Sequence, residues 1–149
     1  MKFEFNDVRL KAGFGIVALV VLLGACASTA LDSDRPDLTC LIPSNCVNSR
    51  TPGDLMPLLY VGTPAQALDL LRATVATFPE ATVVRADPLG LALIFTTPVG
   101  FRDQVDFRID PQAQRIDFRS RSLFGLFDFG KNRSRMHEFT TRFEQLSRR

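Results

Sequence analysis

The chain has no tryptophan, one histidine, one tyrosine and three cysteines among 149 residues, and each scarcity removes a class of chemistry. His137 stands alone, and no second Cys/His pair completes a four-ligand zinc site. The strings G-x-S-x-G, H-E-x-x-H, P-loop and G-x-G-x-x-G are all missing, so hydrolase, metalloprotease and nucleotide-binding functions have no sequence support, and no cofactor is implied. No block of Lys/Arg interrupts a formal net charge of +2, so nucleic acid is not an expected partner. No repeat and no glycine period is found. With 46% hydrophobic and 23% charged residues the composition is that of one ordinary globular domain.

A permanent transmembrane helix is not expected either. The apolar run Ala12 to Ala25 has 14 residues, short of the roughly 20 that a helix needs to cross a bilayer. It follows Lys2, Arg9 and Lys11 and ends in Leu23-Gly24-Ala25-Cys26, the layout of a secretory signal. The Leu-Gly-Ala-Cys segment resembles a bacterial lipobox, which implies removal of residues 1–25 and acylation of Cys26. Several acyl chains on one cysteine anchor stably where a single chain does not. The expectation is a lipoprotein on the periplasmic side of a bacterial envelope, at the outer membrane if the host has one. An uncleaved signal anchor, or export with Cys26 unmodified, is the alternative.

Residues 26–39 read as a lipidated tether, and residues 40–149 as a single domain. Cys40 and Cys46 remain after Cys26, with C-x5-C spacing, and export to an oxidising compartment makes them an expected structural disulfide. Up to about residue 56 the chain is rich in Ser, Thr, Asp, Asn and Pro, without a regular period.

Thr63-Pro64-Ala65-Gln66 has a capping-box pattern and is followed by Leu68, Leu71, Val75 and Phe78, which predicts a helix over 64–78. Residues 81–85, 91–97, 101–109 and 115–120 read as strands of an antiparallel meander. Charge sets the last register: pairing Ile109 with Ile116 places Phe107 opposite Phe118, Arg108 opposite Asp117 and Asp106 opposite Arg119, whereas slips of two residues set like charges together. These charged pairs are taken as exposed. Met136, Phe139, Phe143 and Leu146 predict a helix over 131–147. The fold class is α+β, a small antiparallel sheet with two helices packed on one face.

Cys40-Leu41-Ile42-Pro43-Ser44-Asn45-Cys46, Asp103-Gln104-Val105-Asp106, and the ordered set Arg119-Ser120, Ser122, Gly125, Asp128, Gly130, Asn132 and Arg135 resemble the family known only as domain of unknown function 1499. The resemblance covers roughly residues 40–146. It implies bacterial-envelope or plastid proteins, and it implies no activity.

After residue 101 the chain has 11 basic and 7 acidic residues, a local excess of 4. Lys131, Arg133 and Arg135 crowd the start of a helix, where positive charge opposes the dipole and something must compensate. Two readings follow. In one, internal carboxylates do so, with Asp128 as the nearest candidate cap and Arg135 paired with Asp103 or Asp128. In the other, an anion such as a lipid phosphate sits among Arg119, Ser120, Ser122, Asp128, Asn132 and Arg135. Arg119 is compromised as a ligand if it pairs with Asp106. Phe124, Phe127 and Phe129 read as core rather than as an exposed lip, and His137 as a solvated residue. The expected function is binding of an anionic lipid or an envelope protein; the alternative is an enzyme of unknown type using Asp103, Asp128 and an arginine.

Overall fold

The computed structural model describes residues 38–149; the signal segment, Cys26 and nearly all of the tether lie outside the described residues. Four consecutive strands form the expected meander: β3 (Ala81–Asp87), β4 (Gly90–Thr96), β5 (Arg102–Asp110) and β6 (Arg115–Ser122). Two short strands, β1 (Cys46–Asn48) and β2 (Leu58–Leu59), both pair with β6, at opposite ends of its free edge. All pairings are antiparallel, and the strand order is β1-β6-β5-β4-β3. The β5–β6 register is the one that charge selects, with Ile109 on Ile116, Phe107 on Phe118, Arg108 on Asp117 and Asp106 on Arg119.

Helix α1 (Pro64–Val75) begins with the capping box: the Thr63 hydroxyl accepts from the Gln66 amide at 3.2 Å, and Gln66 Oε1 accepts from the Thr63 amide at 2.8 Å. It ends three residues earlier than periodicity suggests. Thr77 donates to the Thr74 carbonyl and the Phe78 amide to that of Val75, turning the chain so that Phe78 still reaches the core ahead of Pro79. Helix α2 (Lys131–Ser147) spans the predicted range. Both helices cover one sheet face through Leu68, Leu71, Val75, Met136, Phe139 and Phe143, which join Leu93, Phe95, Val105, Phe107 and Phe118 in a single core. Phe139 stacks on Phe78 at 5.6 Å and meets Phe107 at 4.7 Å.

The opposite sheet face corrects one expectation. At its centre the charged residues are buried, not solvated: Asp106 is 4% exposed, Asp117 1% and Arg119 2%, beside Gln104 at 0%. Arg119 holds Asp106 at 2.8 Å and donates to the Thr39 carbonyl, so the start of the described chain reaches this face. Arg108 bonds Asp87 at 2.8 Å across Gly90, where any Cβ would collide with its guanidinium, and Asp117 accepts from Arg50 at 2.9 Å. Alternation identified the face, but it carries no information about what covers it.

Candidate functional site

Strand alternation divides the sequence-predicted ligand set. Ser120 and Ser122 share the helix-covered face with Asp103, because Asp103 pairs with Ser122 and Val105 with Ser120. Arg119 points to the other face, where it is committed to Asp106. The structure therefore separates Arg119 from the other five residues.

Those five meet where α2 begins. Arg135, 8% exposed, donates from Nη2 to Asp103 Oδ2 at 2.5 Å and from Nη1 to Asn132 Oδ1 at 2.9 Å, with its guanidinium 4.8 Å from the Phe95 ring centre. Ser122 donates to the second Asp103 oxygen at 2.6 Å, and Ser120 to Asn132 Oδ1 at 2.6 Å. The Asn132 amide group donates to the Asn45 carbonyl at 3.0 Å and to Ser122 Oγ at 3.2 Å. Buried polar groups are tolerable only when satisfied in this way, and here donors and acceptors are matched to one another.

Compensation of the basic helix start is internal. Gly130, at φ 79°, occupies the cap position and has no side chain to cap with. Asp128, two residues earlier, accepts from the Gly130 amide at 3.0 Å and from the Asn132 amide at 2.8 Å, placing a carboxylate where the dipole favours one. Arg133 pairs with Asp54, which also meets His137 Nε2 at 2.9 Å; His137 is thus hydrogen-bonded as well as half-exposed. The bonds from Arg133 first and His137 second hold the Asp54 carboxyl below its ordinary range.

The aromatic segment overturns a second expectation. Phe124 is 68% exposed, Phe127 66% and Phe129 99%. The core is already filled by six other phenylalanines from β4, β5, β6, α2 and the turn after α1. The segment is irregular, with left-handed backbone at Gly125, Phe129 and Gly130, so no period aims its rings inward. With Val99 and Phe101 from the β4–β5 turn these three rings line a cleft of about 470 Å³, within the range of about 300–1,000 Å³ usual for small-molecule sites. Asp103, Ser122 and Asp128 contribute polar atoms, and Arg102 and Lys131 add positive charge. Arg102 and Lys131 are exposed, and neither has an ion-pair partner among the described residues.

The loop is braced from outside. Asn45 Nδ2 donates to the Gly125 carbonyl at 2.5 Å, Ser44 Oγ to the Leu126 carbonyl, and the Asp128 amide to the Ser44 carbonyl. Ser44 and Asn45 sit in a single turn of 3-10 helix (Pro43–Asn45) inside the ring closed by the Cys40–Cys46 disulfide, as expected from the two cysteines. The C-x5-C spacing predicts the bridge but carries no sign of its contact with the aromatic loop 80 residues later in the chain.

An antiparallel sheet with two helices on one face, carrying an aromatic cleft beside a closed polar network, defines a small α+β domain. The chain belongs to the family described as Protein of unknown function (DUF1499), whose model matches residues 38–143. No curated protein and no solved structure matches it.

Proposed function

We propose that the protein is an envelope lipoprotein, anchored through Cys26 and facing the periplasm, whose domain binds an anionic single-chain amphiphile such as a lipid phosphate in the aromatic cleft. The observation that carries this reading is the pairing of exposed Val99, Phe101, Phe124, Phe127 and Phe129 with two cations, Arg102 and Lys131, around one cavity. Contiguous exposed apolar surface of this kind marks interaction sites. The anion-binding role moves from Arg119 and Arg135, which spend their charge on Asp106 and Asp103, to Arg102 and Lys131. The enzyme alternative loses support for the same reason, because both oxygens of Asp103 and of Asp128 already accept internal hydrogen bonds.

The test is calorimetric titration of dodecyl phosphate, below its micelle concentration, onto a chain beginning at residue 27. Binding is expected to weaken with salt and with Lys131→Glu. Replacing both Phe124 and Phe127 by Ser should weaken it roughly tenfold or more while shifting stability by only about 0.5 kcal/mol, as surface changes do. Equal binding of uncharged dodecyl maltoside, or indifference to the Phe changes, refutes the reading.

A further inference from the structure

We propose that the rim of the cleft is a membrane-inserting lip: Val99 at the β4–β5 turn and Leu126, Phe127 and Phe129 in the β6–α2 loop enter the surface of an anionic bilayer, with Arg102 and Lys131 at headgroup level. This rests on the amphiphile-binding reading and adds the surface from which the ligand enters. Four observations converge on it. The apolar side chains come from two adjacent connections, not from a flat sheet or helix face, and all four are 60–99% exposed. Leu126 does not line the cleft, so its exposure is unexplained by a ligand held inside. The two cations beside the apolar tips, with no ion-pair partner among the described residues, complement anionic headgroups rather than a basic or neutral protein surface.

The fourth observation concerns the backbone. A loop entering an apolar phase carries its peptide groups with it, and each unsatisfied one is penalised. Here the Gly125 and Leu126 carbonyls and the Asp128 amide are already bonded to Ser44 and Asn45. Three of the loop's backbone groups are thus satisfied within the protein before its side chains meet hydrocarbon. Phe129, at φ 52°, is held in the left-handed region and is 99% exposed, an arrangement that packing within the domain does not reward. If Cys26 is acylated, residues 26–37 are 12 residues of chain, at most about 43 Å when extended, which keeps the lip within reach of the same membrane.

The chain has no tryptophan, so Leu126→Trp supplies a single emitter at the lip and Leu59→Trp, on the exposed β2 edge, a control. Full-length protein carrying each is reconstituted into phosphatidylcholine vesicles with and without brominated phosphatidylglycerol. Emission from position 126 is expected to be blue-shifted and lost on brominated lipid, while position 59 stays water-exposed and unquenched. Phe129→Trp repeats the measurement should the first variant fold poorly. Unquenched, red-shifted emission at both lip positions overturns the proposal. If the chain beginning at residue 27 still binds dodecyl phosphate, only the lip fails and the cleft loads from water; loss of both responses overturns the cleft reading as well. Equal quenching at position 59 also overturns the lip, because the domain then lies on the membrane by another face.

Discussion

Replacing Arg135 by methionine removes the charge while keeping an apolar stem over Phe95. In the folded protein the Arg135 and Asp103 side chains are 7% and 5% exposed, so the substitution strands the Asp103 carboxylate with only the Ser122 hydroxyl as donor. Breaking a buried pair in this way costs about 3–5 kcal/mol, and loss of the cation over Phe95 adds about 0.5–2 kcal/mol. For a domain of this size each kcal/mol lowers Tm by about 4 °C, so a fall of roughly 14–28 °C is expected in a melt followed by circular dichroism. The double change Asp103→Leu with Arg135→Met should recover most of that loss, because apolar replacement of both partners is often neutral. A urea titration of all four proteins gives the coupling energy directly. A single-mutant loss under about 1 kcal/mol, with no coupling to Asp103, would falsify the assignment of Arg135 to the scaffold and return it to the list of ligand groups.

Three further outcomes are expected. Replacing Cys40 and Cys46 by serine should lower stability by about 2 kcal/mol, as closure of so short a ring predicts, and should speed hydrogen exchange at the Asp128 amide; unchanged exchange across residues 124–130 counts against the bracing of the loop by Ser44 and Asn45. Burial is the strongest influence on the Asp87 carboxyl and raises its pKa, but the Leu89 amide and then Arg108 outweigh it and leave the group lowered. A lowered carboxyl contributes stability above its unfolded pKa, and that contribution is lost as pH falls from the ordinary value of 3.8 through the folded one. Asp87→Asn should flatten that part of the acid-unfolding curve, and an unaltered curve would show that the Arg108 contact is not formed. Finally, mass spectrometry of envelope-extracted protein should find Cys26 as an acylated N-terminus, and Cys26→Ser should abolish that modification; an intact 1–25 segment in the mature protein argues for the signal-anchor alternative.

What the sequence made legible follows the strength of local physics. The capping box fixed the start of α1, and the alternation of Asp and Arg around Phe107 and Phe118 fixed the β5–β6 register, because both are short-range and chemically specific. Strands of three and two residues, β1 and β2, have no period to read; they exist because β6 has a free edge, which is a property of the assembled sheet. The burial of Asp106, Asp117 and Arg119 was hidden for a related reason, since alternation separates two faces and does not say that both are covered. Grouping Arg119 with Ser120 and Ser122 neglected the same alternation that gave the register. At Phe124, Phe127 and Phe129 hydrophobicity pointed inward, whereas Gly125 and Gly130, with their positive φ, were the available signal that the segment is a loop without an inward face.

Residues carrying the family resemblance and residues lining the cleft are largely different residues. Asp103, Ser120, Ser122, Asp128, Asn132 and Arg135 join α2 to the sheet, and Asn45 ties that network to the Phe124–Phe129 loop through Asn132 and Gly125. Their hydrogen-bonding capacity is spent on one another, which suits a frame better than a reaction centre. A satisfied polar network rigidifies what it supports, and here it supports a loop whose aromatic side chains have no partner in the core. Positions in the frame are therefore constrained by mutual hydrogen bonding, and the exposed side chains of the loop are free of that constraint. Substitutions in the frame should act through stability, while those at Phe124, Leu126, Phe127 and Phe129 should leave the fold standing and change only what the surface binds.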